Sequence, residues 1–235
     1  MELEKIDYRQ LRAHNLFSPA FRHLLYLLYW PVFGLLFFFV ERVWTNRAYM
    51  PIHCFLDDRI PFCEYFLIPY LFWFIYLVGM LLYTLLRDRG AFVQMMRFIA
   101  LTYSVAIVIY LLFPTEQNLR PDAFVRSNLF TAFIGHFYQF DTNTNVCPSI
   151  HVIGSVAALL TAWSMPRFSA PRWRVGFAVA CALICASTVF LKQHSVLDVL
   201  AALPVCVLGW AVVFRKKVPA GPSGLEKGER AEWKS

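Results

Sequence analysis

The chain has 235 residues, of which 59% are hydrophobic and only 16% are charged. Soluble domains carry roughly 25% charged residues, so this balance excludes an ordinary water-soluble domain and points to lipid as the solvent. The net charge of +7 would suit nucleic acid, but its placement along the chain follows membrane topology instead, and no nucleic-acid partner is inferred.

Residues 1–22 mix Glu2, Glu4 and Asp7 with Lys5, Arg9 and Arg12 and read as an N-terminal segment before the membrane. The first apolar run lacks a small-residue cleavage site after it, so it reads as a retained span. A bilayer core takes roughly 20 apolar residues as helix. Six stretches meet or approach that length: 23–40, 65–86, 98–115, 151–165, 175–191 and 195–214. Asp198 is the only acid within them, and none holds a Lys, Arg or Glu. The fourth is short, so its helix is expected to begin within Pro148-Ser149-Ile150-His151 or to run past Pro166.

The expectation is an all-α, six-helix membrane domain over residues 23–217, followed by a Gly-, Pro- and charge-rich tail at 218–235 that reads as disordered. The two termini and the loops at 87–97 and 166–174 hold 16 Lys and Arg, against 6 in the other three loops. The positive-inside tendency therefore puts both termini in the cytoplasm. Between spans three and four, Leu129 to Tyr138 is too apolar for a free loop and too short to span, and reads as an interfacial amphipathic helix. Cys181, Cys185 and Cys206 read as buried hydrophobes. Cys54 and Cys63 share an outer loop in which they could pair.

Ionisable groups at span ends are costly to bury and invite a functional reading. Three such places fall on the same outer face: Arg120-Pro121 after span three, Cys147 to His151 at the start of span four, and Ser187-Thr188 with His194 and Asp198 around the turn into span six. His194 and Asp198 are four apart and share one helix face. The carboxylate can fix the imidazole tautomer and leave the other nitrogen as nucleophile or base. Ser149 is a candidate N-cap at a helix start that would suit a phosphate. His151 in the first turn could give a proton to a leaving oxygen. Arg120 offers a forked donor to phosphate oxygens.

These residues resemble the signatures of the type 2 phosphatidic acid phosphatase superfamily, lipid phosphatases and phosphotransferases related to vanadium haloperoxidases. The family motifs are Lys-x6-Arg-Pro, Pro-Ser-Gly-His and Ser-Arg-x5-His-x3-Asp. The chain carries Arg120-Pro121, Pro148-Ser149-Ile150-His151, and Ser187-Thr188 followed by His194 and Asp198 at the same spacing. The resemblance implies a six-helix bundle and a phosphohistidine on His194, oriented by Asp198. It gives His151 the role of acid and then base, and has Arg120, Ser149 and Ser187 hold the phosphate without a metal cofactor. Three positions depart from it: Phe113 stands where the family has lysine, Ile150 where it has glycine, and Thr188 where it has arginine. The Pro-Ser-x-His form is similar to inositol phosphorylceramide synthase relatives. Lys192 could lend a replacement charge. The substrates implied are membrane lipid phosphates, with phosphodiesters or bulky headgroups favoured by the missing cations, and with water or a lipid hydroxyl as acceptor.

Plainer readings stand beside this one. His194 with Asp198 could be a polar pair locking two helices, Arg120 an interfacial anchor, and Ser187 and Thr188 back-bonding hydroxyls. Two histidines and a carboxylate could also form a metal triad. The scaffold could serve a non-catalytic lipid-binding or transport protein.

Overall fold

The computed structural model describes residues 7–215. Residues 1–6 and the 218–235 tail, expected to be disordered, lie outside the described residues. Five helices are long and apolar enough to cross a membrane: Arg22–Val43, Glu64–Arg87, Arg89–Leu112, Pro171–Phe190 and Val196–Phe214. A sixth apolar helix, Ile150–Ser164, is shorter. The α-helical elements are α1 (Tyr29–Phe38), α2 (Phe55–Arg59), α3 (Leu67–Arg87), α4 (Arg89–Leu112), α5 (Leu129–Phe140), α6 (Ile150–Ser164), α7 (Pro171–Phe190) and α8 (Val196–Gly209). A 3-10 stretch leads into α1, and π-helical turns extend both α1 and α8. The only strands among the described residues are β1 (Met50–Pro51) and β2 (Thr115–Glu116), paired in parallel.

The sequence places a loop at 87–97, but the chain turns there on Asp88 alone. The Asp88 carboxylate accepts from the Ala91 amide and caps α4, so the helix starts nine residues before the apolar run does. The polar residues of that first stretch are accommodated at the bundle end: Arg97 donates to the Tyr26 hydroxyl at 2.9 Å, and Gln94 to the Val213 carbonyl at 3.4 Å. A side chain with a long stem and a polar head can continue a membrane helix past its apolar limit in this way. The fourth helix begins just after Ser149, within the window the sequence gives, and ends at Ser164.

α4 lies at the centre. Phe92, Met95, Met96, Phe98, Ile99, Ala106 and Tyr110 are fully or almost fully buried along it. Two glycines allow the close approaches around it. A Cβ on Gly209 would lie 2.6 Å from Phe98 and Thr102 side-chain atoms, and one on Gly154 would lie 2.6 Å from the Tyr103 hydroxyl. α3 shows why the exterior reads as lipid-facing. Leu67, Tyr70, Trp73, Leu77 and Met80 turn inward at helical spacing, while Ile68, Phe72, Ile75, Val78 and Leu82 are large, apolar and exposed. A helix hydrophobic all round belongs in a membrane or a large core, and this one has only half its girth in the core.

α5 covers one end of the bundle. Asn128 caps it through Thr131, and Ile134 packs with Leu67, Tyr70 and Leu191. The expected helix at 129–138 is therefore present, and its inner face rests on protein. All six cysteines are free thiols, Cys54 and Cys63 included.

Candidate functional site

The ends of α4 and α7 and the beginnings of α3, α6 and α8 meet at the end of the bundle that α5 covers. α7 stops at Leu191, and Lys192 takes a left-handed backbone conformation with φ of 54°. That turn brings the Gln193 and His194 amides back onto the Thr188 carbonyl, at 2.9 and 3.0 Å. Ser195 then caps α8, its hydroxyl accepting from the Leu197 amide, with Asp198 in the first turn. The short reversal fixes His194 one residue before the N-cap of α8 and Asp198 within its first turn.

The spacing argument holds in three dimensions. His194 Nδ1 donates to Asp198 Oδ2 at 3.1 Å, and the same oxygen accepts from the Ser195 amide at 2.9 Å. A carboxylate with two donors on one oxygen is held firmly, and it leaves His194 Nε2 with the free lone pair. That nitrogen lies 3.4 Å from His151 Nδ1, across from α6. His151 is itself seated between Tyr70 and Trp73, with ring centroids 4.8 and 4.6 Å away.

Both histidines border a cavity of about 40 Å³ whose lining also includes Tyr110, Asp141, Asn145 and Gln193. A water needs roughly 10–15 Å³ by this measure, so the space suits a group of about phosphoryl size and little more. The two imidazoles, 3.4 Å apart, stand too close for a phosphorus to enter between them.

The other expected site residues divide. Ser149 stands at the N-cap position of α6 and its amide donates to the Asp198 carbonyl at 3.1 Å, but its hydroxyl makes no capping bond. That oxygen is fully buried and has no hydrogen-bond partner. An orphaned buried hydroxyl is costly, and a ligand oxygen would relieve it. Arg120 lies one residue further out. Its guanidinium donates to the carbonyls of Tyr138 and Thr142 and to Gln193 Oε1, at 2.9, 3.0 and 2.6 Å, and it stacks on Tyr138. Burial lowers its pKa against the raising effect of Asp141. Arg120 reaches the cavity through Gln193, whose Nε2 is buried without a partner.

Ser187 and Thr188 donate back to Ile184 and Cys185 carbonyls of their own helix, at 2.6 and 2.8 Å, so the plain reading describes both hydroxyls. Lys192 does not join the cavity. Its ammonium donates to the carbonyls of Asp57 and Ile60 at 2.7 and 2.5 Å, capping the end of α2. The left-handed turn that aims His194 inward sends Lys192 the other way. Phe113, at the lysine position of the resembled motif, caps α4 and is exposed.

Three acidic groups around the site, Asp57, Glu41 and Asp141, escape a motif-based reading. Asp57 is 1% exposed and joins α2 to α8: it accepts from the Ser195 hydroxyl at 2.6 Å, the Val196 amide at 2.8 Å and the Cys54 amide at 2.9 Å. Burial pushes its carboxyl up, but these hydrogen bonds together outweigh it and hold it below the ordinary range. Glu41 gathers the 142–145 loop, accepting from Thr142, Thr144 and Asn145. Asp141 borders the cavity, and Tyr70 donates to it at 3.3 Å. Burial raises the Asp141 pKa against the lowering effects of His194 and Arg120. Cys147 sits beside Asp198, and burial first, then that carboxylate's charge, pushes its thiol up to about 12. Glu41 alone carried a usable signal, an acid at the end of an apolar run. The others lie in loops whose partners are distant in sequence.

Among the described residues, no group of three or more His, Cys, Asp or Glu side chains is arranged to hold a metal ion. Comparison of the chain with protein-family models, with curated proteins and with solved structures returned no match.

Proposed function

We propose that the chain is a six-span membrane enzyme that transfers a phosphoryl group from a lipid phosphate through a phosphohistidine on His194. The observation that carries this reading is the His194–Asp198 pair, with the free nitrogen of His194 turned onto His151 at 3.4 Å and both imidazoles bordering a cavity of about 40 Å³. A tautomer-fixed imidazole is a nucleophile, and a second imidazole within reach is its natural acid–base partner. His194 Nε2 attacks phosphorus while the P–O bond to the leaving group breaks and His151 supplies the proton. In the second step, His151 takes a proton from the acceptor hydroxyl, whose oxygen displaces His194. The Ser149 hydroxyl, next to Ile150 in the cavity lining, and Gln193 Nε2, both buried without partners, are the donors this reading assigns to the phosphate oxygens. The reading requires no metal cofactor. The excess of Lys and Arg in the termini and the loops at the opposite end supports an extracytoplasmic site with both termini in the cytoplasm.

A transferase acting on phosphodiester or bulky-headgroup lipids draws on one further feature. The cavity lining contains no Lys or Arg and does contain Asp141, a poor environment for a dianionic monoester. The test is to incubate purified protein with phosphomonoester and phosphodiester lipids, with and without ceramide or diacylglycerol, and to follow free phosphate and new lipid together. Turnover by the parent that His194→Ala abolishes is expected. Equal turnover by both proteins would overturn the phosphohistidine on His194, and none by the parent with lipid binding or transport unchanged in the variant would replace the enzyme reading with that of a non-catalytic lipid protein.

A further inference from the structure

The end of the bundle away from the histidines holds a second, larger pocket. It has a volume of about 550 Å³ and is bordered by Arg22, His23, Tyr26, Arg89, Val93 and Arg97. That volume lies within the roughly 300–1,000 Å³ range of small-ligand sites. None of the three arginines pairs with a carboxylate among the described residues. Arg97 is held by one bond, from Nε to the Tyr26 hydroxyl at 2.9 Å. His23 is 2% exposed; its Nε2 meets the Tyr8 hydroxyl at 2.9 Å, while Nδ1 is buried without a well-formed hydrogen bond, the Ala20 backbone its polar neighbour. Three arginines bordering one pocket bring like charge to it that an anion would offset, and forked donors match phosphate oxygens better than a point charge does.

We infer that this pocket binds the phosphate of an anionic membrane lipid. Arg22 and Arg89 open two of the membrane-length helices, which puts them at the depth of lipid headgroups, with the exposed apolar side chains of Leu27 and Leu28 next along the chain. The volume exceeds what a bare phosphate fills and leaves space for a glycerol-sized headgroup. Arg97 and Tyr110, which borders the other cavity, are separated along α4 by roughly 20 Å at 1.5 Å per residue. One headgroup cannot serve both sites. The inference does not depend on the phosphoryl-transfer reading.

The test titrates the detergent-solubilised full chain with short-chain phosphatidylglycerol, short-chain phosphatidylcholine or inorganic phosphate, and reads the thermal unfolding midpoint by tryptophan fluorescence. Arg22→Gln and Arg97→Gln remove exposed side chains and should fold; Arg172→Gln, at an exposed arginine outside the pocket, controls for net charge. Phosphatidylglycerol should raise the midpoint of the parent and of Arg172→Gln at lower concentration than phosphatidylcholine does. Each pocket variant should need roughly fivefold more of it, since a basic residue near an anionic surface contributes about 1 kcal/mol. An equal response to inorganic phosphate, lost in the same variants, would overturn the lipid assignment in favour of a soluble phosphate. Identical titrations for the parent and both pocket variants would overturn the site altogether.

Discussion

Replacing Asp57 with alanine should damage the site without touching it. The carboxylate is 1% exposed and accepts hydrogen bonds from Ser195 Oγ, the Val196 amide and the Cys54 amide. Lys192, whose ammonium is anchored on the Asp57 carbonyl, would in the same step lose the larger of its two compensating charges and keep that of Asp58. Hydrogen bonds to a charged acceptor contribute about 1.5–3 kcal/mol each, and stranding a buried charge costs about 3–5 kcal/mol. These effects overlap, so a loss of about 4 kcal/mol is expected. For a chain of this size 1 kcal/mol moves the midpoint by about 2–4 °C, which puts the fall near 10 °C. The assay is thermal unfolding in detergent micelles, alongside turnover of the best lipid substrate. Turnover should fall through kcat with little change in KM, because α8 carries Asp198 and the turn leading into it carries His194. The pH dependence gives a second readout. The folded-state pKa is held below its unfolded value, so the stabilisation is present above roughly pH 4 and is lost as pH falls through the folded pKa. Asp57→Asn should flatten that acid limb. A midpoint for Asp57→Ala within about 2 °C of the parent would refute the argument.

Further outcomes follow from the same geometry. His194→Ala should abolish turnover, while Asp198→Asn should reduce kcat by about 10²–10⁴-fold by disturbing the tautomer of His194; radiolabelled phosphate retained on parent quenched in alkaline detergent, where the N–P bond survives, and released by acid, but absent from His194→Ala, is the direct check. His151→Ala should cost about 10²–10⁴-fold in kcat, and a substrate with a highly acidic leaving group should recover most of the first-step loss. Gly154→Leu forces a side chain against the Tyr103 hydroxyl and Trp73, the ring that backs His151. Overpacking of this kind costs about 1–3 kcal/mol, so both the unfolding midpoint and kcat should fall. Ser149→Ala should leave the unfolding midpoint unchanged or higher, since its hydroxyl has no partner, while KM for lipid phosphate rises.

The membrane class, the positions of the apolar helices apart from the start of α4, and the pairing of His194 with Asp198 are legible in the amino-acid sequence. These are local properties. Apolar length reads directly against bilayer thickness, and an i, i+4 spacing across a capped helix start leaves two side chains little choice but to meet. The meeting of His151 with His194 was legible only through motif order and the common face of the two span ends. The boundary at 89–97 was misjudged because hydropathy registers Arg89, Gln94 and Arg97 as polar, whereas the helix tolerates them where their heads reach the bundle end.

Tertiary structure alone decided the fate of Lys192, the carbonyl-bound state of Arg120 and the roles of Asp57, Glu41 and Asp141. Lys192 is two residues from His194, yet one residue with positive φ sends their side chains to opposite sides. Asp57 acts on Ser195, 138 residues away, and Glu41 on the loop at 142–145. Such partners share no period or spacing along the chain. What brings them together is the bundle itself, which gathers the ends of α4 and α7 and the starts of α3, α6 and α8 at one end, where loop carboxylates too costly to bury alone find their donors.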